Sequence, residues 1–211
     1  MGRTTREETL DQIRQDYEAE HLYETCEEMI NIVTPKLELI ERGMSEKYGR
    51  PVVQYITSRV KTPESILTKL VRKRRSQTLA KAVETFHDLA GIRVVCTFYD
   101  DVYRVVKAVK KIPDLEIIKV RDYIAHPKPS GYRSIHIIST VPACGDIRLE
   151  IQVCSAAMNY WAMLDHQLSY KNDKGDREEL KKLEKELKSY SFAIKDIDKK
   201  FLQIRKMIEK L

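Results

Sequence analysis

The chain lacks the features that mark secreted, zinc-bound and membrane proteins. Four cysteines lie far apart without a CxxC pair: Cys26, Cys96, Cys144 and Cys154. This spacing argues against a disulfide framework or a zinc site and favours a reducing cytoplasm. No apolar run approaches the ~20 residues of a membrane span, and the first residues contain no apolar segment typical of a signal peptide. The sequence therefore predicts a cytoplasmic protein that has no membrane partner.

The composition fits one globular domain with helical appendages. The 211 residues are 42% hydrophobic, which is enough for a buried core. Lys and Arg number 38 against 32 Asp and Glu, so the formal net charge is +6. This balance suggests an anionic partner such as a nucleotide or RNA, although many basic proteins bind neither.

Strand-like and helical patterns alternate along the chain and predict a mixed sheet of about five strands with helices, in an α/β or α+β domain. A capping box at Thr5–Glu8 opens the first helix, and the second, Leu22–Lys47, contains Pro35, which predicts a bend. The strands are predicted at Val52–Val60, Ala90–Phe98, Leu115–Ile124, Ser134–Val141 and Ile147–Val153. The later helices are predicted to begin at Thr62-Pro63 and to cover Asp100–Lys111 and Ser155–Lys171.

The C-terminal segment carries apolar residues that are spaced alternately by three and four, the pattern of a heptad seam. Two interpretations stand: the seam packs on its own domain, or it contacts another subunit. The seam consists of Leu180, Leu183, Leu187, Tyr190, Ile194, Ile197, Phe201, Ile204, Ile208 and Leu211.

Polar residues alternate with apolar ones along several predicted strands, so they share the opposite face. If these strands form one sheet, a single surface collects their polar side chains. Polar groups gathered in this way need a ligand or water. The residues concerned are Arg59, Lys61, Arg93, His136, Glu150 and Gln152.

The segment from Arg59 to Arg75 contains seven cations and one acid. Ser65, Lys69 and Arg72 are spaced to share one face of the predicted helix, which suits a polyphosphate with Ser65 as a hydroxyl donor. A solvated helix face accounts equally well for the charge alone.

Two carboxylates stand at neighbouring polar edges of the predicted sheet. Taken singly, Asp88 is a turn residue before a strand, and Glu150 is a surface residue of a strand. Together they suit Mg²⁺, a hard cation that takes carboxylates and nucleotide phosphates. The His87-Asp88 pair also resembles a metal-hydrolase dipeptide, but His21 is the sole other histidine upstream, which argues against a multi-histidine site.

Several segments resemble the synthetase domain of the RelA/SpoT family, most closely its single-domain members, the small alarmone synthetases. The loop from Asp122 to His136 combines cations, an aromatic ring, a glycine turn and two imidazoles, and it is similar to the family's guanine-nucleotide loop. Ser58-Arg59-Val60-Lys61 and His87 to Arg93 resemble the ATP-side motifs. Leu149-Glu150-Ile151-Gln152-Val153 and the helix from Ala157 to Ala162 resemble the catalytic strand and the helix after it. The resemblance extends from Val52 to Lys171.

The resemblance implies an α+β fold with a mixed sheet, distantly related to nucleotidyltransferases. It divides the chain into N-terminal helices (1–50), a synthetase core (51–172) and a C-terminal heptad helix (173–211). The implied reaction moves the β,γ-pyrophosphate of ATP to the 3′-oxygen of GDP or GTP and releases AMP. The tail resembles the helices through which small synthetases assemble, commonly as tetramers. Since the first fifty residues read as plain helices, we expect synthesis without hydrolysis.

The resemblance also assigns roles to individual residues. On the ATP side, Arg59 and Arg93 sandwich adenine, while Lys61, Ser65, Lys69 and Arg72 hold the phosphates. On the guanine side, Tyr132 stacks on the base, Lys128 and His136 hold phosphates, and Gln152 and Asn159 position the acceptor. Between them, Asp88 and Glu150 bind Mg²⁺, and Glu150 takes the proton from the 3′-hydroxyl.

Two positions depart from the family pattern. Cys154 stands where the family usually has an arginine, which Arg148 or Lys171 is expected to replace if the contact is needed. Asp165-His166 stands where the family often has Glu-His. Arg121 and Arg133, beside and within the loop, receive no role from the motifs.

Two other functions compete with nucleotide synthesis. A toxin-like relative of the same fold pyrophosphorylates the 3′ end of tRNA, but the complete guanine loop favours a nucleotide acceptor. A non-catalytic regulator that binds RNA or nucleotides fits the basic run and the heptad tail. Asp88 and Glu150 argue against it, because carboxylates in a cationic phosphate site weaken binding unless they hold a metal.

Overall fold

A computed structural model of the protein describes residues 5–170 and 177–210 and contains one five-stranded mixed sheet. Its strands are β1 (Val53–Val60), β2 (Ala90–Cys96), β3 (Glu116–Asp122), β4 (Ile135–Thr140) and β5 (Leu149–Ser155). Their order is β1-β2-β5-β4-β3, in which β2 and β5 are parallel and the other neighbours antiparallel. The predicted α+β fold with a mixed sheet of five strands is therefore confirmed.

Seven α-helices accompany the sheet within the described ranges. They are α1 (Arg6–Ala19), α2 (Leu22–Tyr48), α3 (Pro63–Arg72), α4 (Leu79–Thr85), α5 (Tyr99–Val109), α6 (Ala156–Tyr170) and α7 (Arg177–Ile208), with a 3₁₀ turn at Pro142–Cys144. The predicted capping box forms, because the Thr5 hydroxyl accepts from the Glu8 amide and the Glu8 carboxylate accepts from the Thr5 amide. Pro63 begins α3 as its pattern predicted.

Some predicted boundaries differ from the structure for local reasons. The helix α2 spans Pro35 as predicted, because proline removes only one backbone donor, and the bend there stays a prediction. Strand β2 ends at Cys96, and Phe98 instead caps α5, where Arg50 and Arg205 each pack a guanidinium 5.0 Å from its ring centroid. The helix α4 was not predicted, although Thr78 caps its first turn.

One apolar core joins the N-terminal helices to the sheet. Ile13 of α1, Met29 of α2, Leu67 of α3, Val105 of α5 and Ile151 of β5 belong to the same buried cluster. Burial of such a side chain contributes about 1.5–3 kcal/mol. The helices of segment 1–50 thus pack directly on the core of segment 51–172, while the predicted boundary at 172–173 lies outside the described residues.

Helix α7 packs on the domain through a polar stripe and leaves most of the heptad seam exposed. Its most buried side chains are Ser191, Asp198 and Arg205, which stand seven residues apart. Six seam residues are 47–63% exposed: Leu183, Tyr190, Ile197, Phe201, Ile204 and Ile208. The Leu180 side chain and Leu211 lie outside the part that the structure describes. In residues 5–170 and 177–210, no helix is both long and apolar enough to cross a membrane.

An ion-pair cluster fastens the end of α7 to the start of α5. The Arg205 guanidinium donates to both oxygens of Asp100 at 3.0 and 2.8 Å, and Arg50 makes a similar paired contact with the buried Asp101 at 2.7 and 2.8 Å. Burial raises the pKa of Asp100, but the Arg205 hydrogen bonds and the charges of Arg104 and Arg205 outweigh burial. They hold that pKa below its ordinary value of 3.8.

We expect Asp100→Asn to lower the free energy of unfolding at pH 7 by about 1–2 kcal/mol, because Arg205 loses a charged partner. The folded pKa of Asp100 is below the unfolded one, so its stabilisation is present above pH 3.8 and lost as the pH falls through the folded pKa. Urea unfolding at pH 7, 5 and 3 measures this difference. Asp114→Asn, which weakens an exposed pair with Lys36, is the control and should cost less than about 0.5 kcal/mol. An Asp100→Asn loss of equal size at pH 7 and pH 3 would show that charge is not the cause.

Candidate active site

The candidate site lies over the polar face of the sheet where β2 and β5 run side by side. Two adjoining cavities, of about 180 and 820 Å³, open there. The larger cavity has the size of a site for small molecules. Both cavities are lined by Arg59, Asp88, Arg93, Glu150 and Gln152.

Strand register brings the polar residues of separate motifs into one row. Arg93 of β2 pairs with Gln152 of β5, and Gln152 pairs with His136 of β4. Glu150 lies two residues before Gln152 and so shares its face of the sheet. Arg121 of β3 pairs with His136 and extends the row. The register therefore assembles a site from four strands that are distant in sequence.

Glu150 is nearly buried and is held by two neighbours. Its Oε1 lies 2.8 Å from His136 Nδ1, and its Oε2 accepts from Gln152 Nε2 at 2.7 Å. Burial raises the pKa of Glu150, but the His136 hydrogen bond and charge, with the Gln152 bond, outweigh burial and lower the pKa below its ordinary value. Glu150 is therefore an ionised carboxylate at neutral pH, as a proton acceptor must be.

Arg93 links β5 to α6. It donates to Gln152 Oε1 at 2.9 Å and to Asn159 Oδ1 at 3.2 Å. Asn159 is buried and donates in turn to the Tyr55 hydroxyl at 2.7 Å. Asn159 thus acts on the cavity through Arg93, since its side chain does not line either cavity.

Asp88 is the second carboxylate at the cavity and is neutralised by two lysines. Lys61 Nζ lies 3.1 Å from Oδ2, and Lys69 forms an ion pair with Oδ1. Burial raises the pKa of Asp88, but the lysine charges and hydrogen bonds outweigh it and lower the pKa to about 2. Asp88 and Glu150 are both ionised and face the same space.

These two carboxylates fit a hard cation that also takes ligands from a substrate. Among the residues that the structure describes, no group of three or more His, Cys, Asp and Glu side chains is placed to hold a metal ion. A divalent cation at Asp88 and Glu150 would therefore need further oxygen ligands, which nucleotide phosphates can provide.

The loop from Asp122 to His136 places a cation against two aromatic rings. Lys128 Nζ lies 4.7 Å from the Tyr123 ring centroid and 4.6 Å from that of Tyr132. The Tyr132 hydroxyl lies 3.0 Å from His136 Nε2, and burial raises the pKa of Tyr132 to about 12. A planar base that stacks on Tyr132 would lie close to the Lys128 ammonium. The contact with the base and the contact with the cation are therefore next to each other.

Not every predicted residue lies at the cavity. Lys69, Arg72, Lys128, Tyr132 and His136 line the larger cavity. Lys61 does not line it but reaches the site through Asp88. Ser65 is exposed and sits in the first turn of α3, where its hydroxyl accepts from Thr62 at 3.2 Å. Its predicted phosphate contact stays a prediction.

The structure adds residues that the motifs did not assign. They line the larger cavity: Lys73, His87, Arg121, Tyr123, Ser130, Asp165 and His166. The alternation of side chains along the strand could have indicated Arg121. It stands two residues before Tyr123, on a strand that leads into the loop, so both side chains share one face. Arg133, in contrast, is buried and donates to the Ile124 carbonyl at 3.0 Å, away from the cavity.

Cys154 cannot replace the arginine that the family usually has at this position. The residue is 4% exposed, and burial raises the pKa of its thiol to about 12. Arg148, one of the expected substitutes, is engaged elsewhere: it donates to the Glu84 carbonyl at 3.0 Å and lies 3.1 Å from His87 Nδ1. Lys171, the other, is outside the described residues.

We expect no thiol of the native protein to react rapidly with a disulfide reagent such as DTNB. All four cysteines are unpaired and buried, and a buried, protonated thiol is a poor nucleophile. All four should react after unfolding. Ser189→Cys, at an exposed position of α7, provides a rapidly reacting control. A fast native thiol that disappears in Cys154→Ala would contradict the burial of Cys154.

Comparison with known proteins agrees with this geometry. Residues 58–175 match the model of the region found in RelA/SpoT proteins. The chain is 36% identical to the GTP pyrophosphokinase YwaC of Bacillus subtilis over 185 residues, which cover 85% of this chain and 87% of that protein. It is 37% identical to the GTP pyrophosphokinase YjbM of the same organism over 158 residues, 72% of each chain.

The fold is also similar to that of a solved structure. The small alarmone synthetase 1 of Bacillus subtilis, bound to its product pppGpp, superposes with a TM-score of 0.78 at 30% identity. The match covers 91% of this chain and 98% of that one. The resemblance that the motifs indicated is confirmed, and the chain belongs to the RelA/SpoT family.

Proposed function

We propose that the protein transfers the β,γ-pyrophosphate of ATP to the ribose 3′-oxygen of GDP or GTP, which yields ppGpp or pppGpp and AMP. Its relatives YwaC and YjbM are GTP pyrophosphokinases, and the similar synthetase structure holds pppGpp. The observation that carries the proposal is the pair of ionised carboxylates, Asp88 and Glu150, at a cavity that is also lined by arginines and by residues of the loop from Asp122 to His136.

Arginine and lysine side chains form the proposed donor half of the site. Arg59 and Arg93 stand on the neighbouring strands β1 and β2 and both line the smaller cavity. A planar guanidinium stacks on an aromatic base, so this pair suits adenine. Lys61, Lys69 and Arg72 suit the phosphates, with Ser65 at the edge. Because Lys61 and Lys69 already pair with Asp88, phosphate oxygens would exchange with that carboxylate as their partners.

The loop from Asp122 to His136 forms the proposed acceptor half. Tyr132 stacks on guanine, and Lys128 and His136 bind the phosphates of GDP or GTP. Gln152 orients the acceptor directly, and Asn159 supports it, because Arg93 donates to the side chains of both residues. Aromatic stacking and cations at one place select a base that carries phosphates.

The reaction requires a base between the two halves. The ribose 3′-oxygen attacks the β-phosphorus of ATP, the bond from that phosphorus to the oxygen shared with the α-phosphate breaks, and AMP leaves. Glu150 accepts the 3′-hydroxyl proton. Its lowered pKa keeps it ionised, and His136 and Gln152 fix its two oxygens in place. Positioning and charge neutralisation provide most of the catalysis in such transfers.

Asp88 and Glu150, with phosphate oxygens of the nucleotides, are the proposed ligands of Mg²⁺. When bound, Mg²⁺ would neutralise charge on the transferred group. At Asp88 this role is compatible with the two lysine partners in the structure, because a metal ion can take the place of a lysine ammonium beside a carboxylate.

We also propose that the protein is cytoplasmic and forms a homo-oligomer, a tetramer as the resemblance implies. The exposed seam of α7 supports the assembly. A row of apolar side chains that the chain itself leaves uncovered is typical of a contact with another subunit. The net charge of +6 also suits regulation by RNA. Synthesis without hydrolysis stays a prediction.

We expect the protein with ATP, Mg²⁺ and GDP or GTP to form the 3′-pyrophosphorylated nucleotide and equimolar AMP. Glu150→Gln should lower turnover at least about 100-fold, because loss of a general base typically costs 10²–10⁴, while the thermal unfolding transition stays cooperative. Chromatographic separation of labelled products measures the transfer. Glu116→Gln, at an exposed position of β3, should retain activity. Transfer of label to tRNA alone would contradict the nucleotide acceptor, and full activity of Glu150→Gln would remove Glu150 from the role of base.

We expect Phe201→Glu to dissociate the oligomer, because a charge in an apolar helix seam is desolvated without a partner. Sedimentation equilibrium at several concentrations measures the mass. Gln203→Glu adds the same charge to an exposed position of α7 outside the seam and should leave the mass unchanged. A monomeric wild-type protein, or an equal effect of both variants, would contradict assembly through the seam.

A further inference from the structure

Helix α7 contacts the acceptor loop directly through its buried polar stripe. The Ser191 hydroxyl donates to the Gly131 carbonyl, a residue 60 positions earlier in the chain. The same hydroxyl accepts from Arg133 Nε at 3.3 Å. Ser191 and Arg133 are 3% and 4% exposed, so neither group reaches the cavity or bulk water. One hydroxyl on α7 therefore holds two residues of the loop.

Gly131 shows how closely the loop approaches α7. Its φ of +99° is a conformation that side chains disfavour. A Cβ added there would lie 2.9 Å from Ser191 Cβ and 3.2 Å from Lys188 Cα, closer than van der Waals contact. The loop backbone is thus pressed against the helix at the turn between Lys128 and Tyr132, the two residues that meet at the aromatic contact.

Arg133 spans the gap between α7 and the base of the loop. Its second donor binds the Ile124 carbonyl at 3.0 Å, and its guanidinium lies 5.0 Å from the Phe192 ring centroid. Ile124 and Arg133 stand at opposite ends of the loop, so this side chain ties both ends together. Its neighbour Tyr132 lines the cavity, whereas Arg133 is turned toward α7.

A second polar contact of α7 reaches the catalytic strand. Asp198 accepts from Ser155, the last residue of β5, whose hydroxyl also accepts from the Met158 amide at 3.2 Å. A helix that only covered the domain would bury apolar side chains. In α7 the buried stripe is polar: Ser191 bonds to the loop, Asp198 to the end of the strand that carries Glu150, and Arg205 to Asp100 of α5.

We propose that Ser191 and Arg133 are positioning residues for the acceptor nucleotide. Through them α7 fixes the loop in the conformation in which Lys128 and Tyr132 face the cavity. The C-terminal helix thereby sets the affinity for GDP and GTP without touching either nucleotide. This inference rests on the proposed function, since it concerns the acceptor half of that site.

Kinetics of Ser191→Ala test the inference. The KM for GDP and for GTP should rise about fivefold, the effect of one net hydrogen bond of about 1 kcal/mol, while the KM for ATP and kcat change less than twofold. Ser189→Ala is the matched control, because this exposed hydroxyl donates to the Glu186 carbonyl of its own helix. An unchanged acceptor KM, or an equal rise in the KM for both substrates, would overturn the inference.

Two measurements separate a loop effect from loss of α7. Trp161 is the single tryptophan, and its indole N–H donates to the Leu187 carbonyl on α7 at 2.9 Å, so its emission reports whether the helix is docked. Ser191→Ala should leave that emission unchanged but speed hydrogen–deuterium exchange in residues 122–134 relative to Ser189→Ala. A red-shifted emission, or unchanged exchange, would overturn the role of Ser191.

The exchange experiment also distinguishes this inference from the proposed function. If the wild-type protein forms no product and exchange in the loop still depends on Ser191, then the proposed function fails while the contact stands. If product forms and Ser191→Ala behaves like Ser189→Ala in kinetics and exchange, then the positioning role fails and the proposed function stands.

Discussion

The parallel pairing of β2 with β5 is the constraint on which the candidate site depends. Gly91 stands opposite Glu150 in this register, and Arg93 stands opposite Gln152. Because side chains alternate along a strand, a slip of one residue would turn Glu150 away from the cavity. The antiparallel strand β4 then adds His136 beside Gln152. Candidate site residues of three strands thus share one surface through backbone pairing, before any side-chain contact is considered.

Charge balance explains how two ionised carboxylates persist in a nearly buried place. An isolated carboxylate would be neutralised by burial, but Asp88 has Lys61 and Lys69, and Glu150 has His136 and Gln152. Phosphates would engage the lysines, and a divalent metal ion would engage the carboxylates. Binding of nucleotides would therefore exchange ionic partners within a fixed framework, which limits the reorganisation that catalysis requires.

Helix α7 has two chemically different sides with different consequences. The polar stripe of Ser191, Asp198 and Arg205 faces the domain, and the apolar seam faces outward. A helix in a monomeric protein normally has the reverse arrangement. The stripe contacts the acceptor loop, and the seam suits a contact with another subunit. One helix therefore connects the proposed subunit contact with the proposed nucleotide site.

The sequence by itself determined most of the elements, and most of the site residues predicted from it line the candidate cavities. The capping box of Thr5 and Glu8 and the start of α3 at Pro63 follow from interactions within one helical turn, and period-two alternation placed Glu150 and Gln152 on one face. Only the tertiary structure decided which residues meet. It turned Arg133 toward α7, buried Cys154, left Ser65 in its own helix turn and brought Arg121 to the cavity. The tertiary structure also decided which stripe of α7 is buried. The physical reason is that a side chain's direction depends on the surface packed against it, and for Arg133 that surface is 58 residues away in the chain.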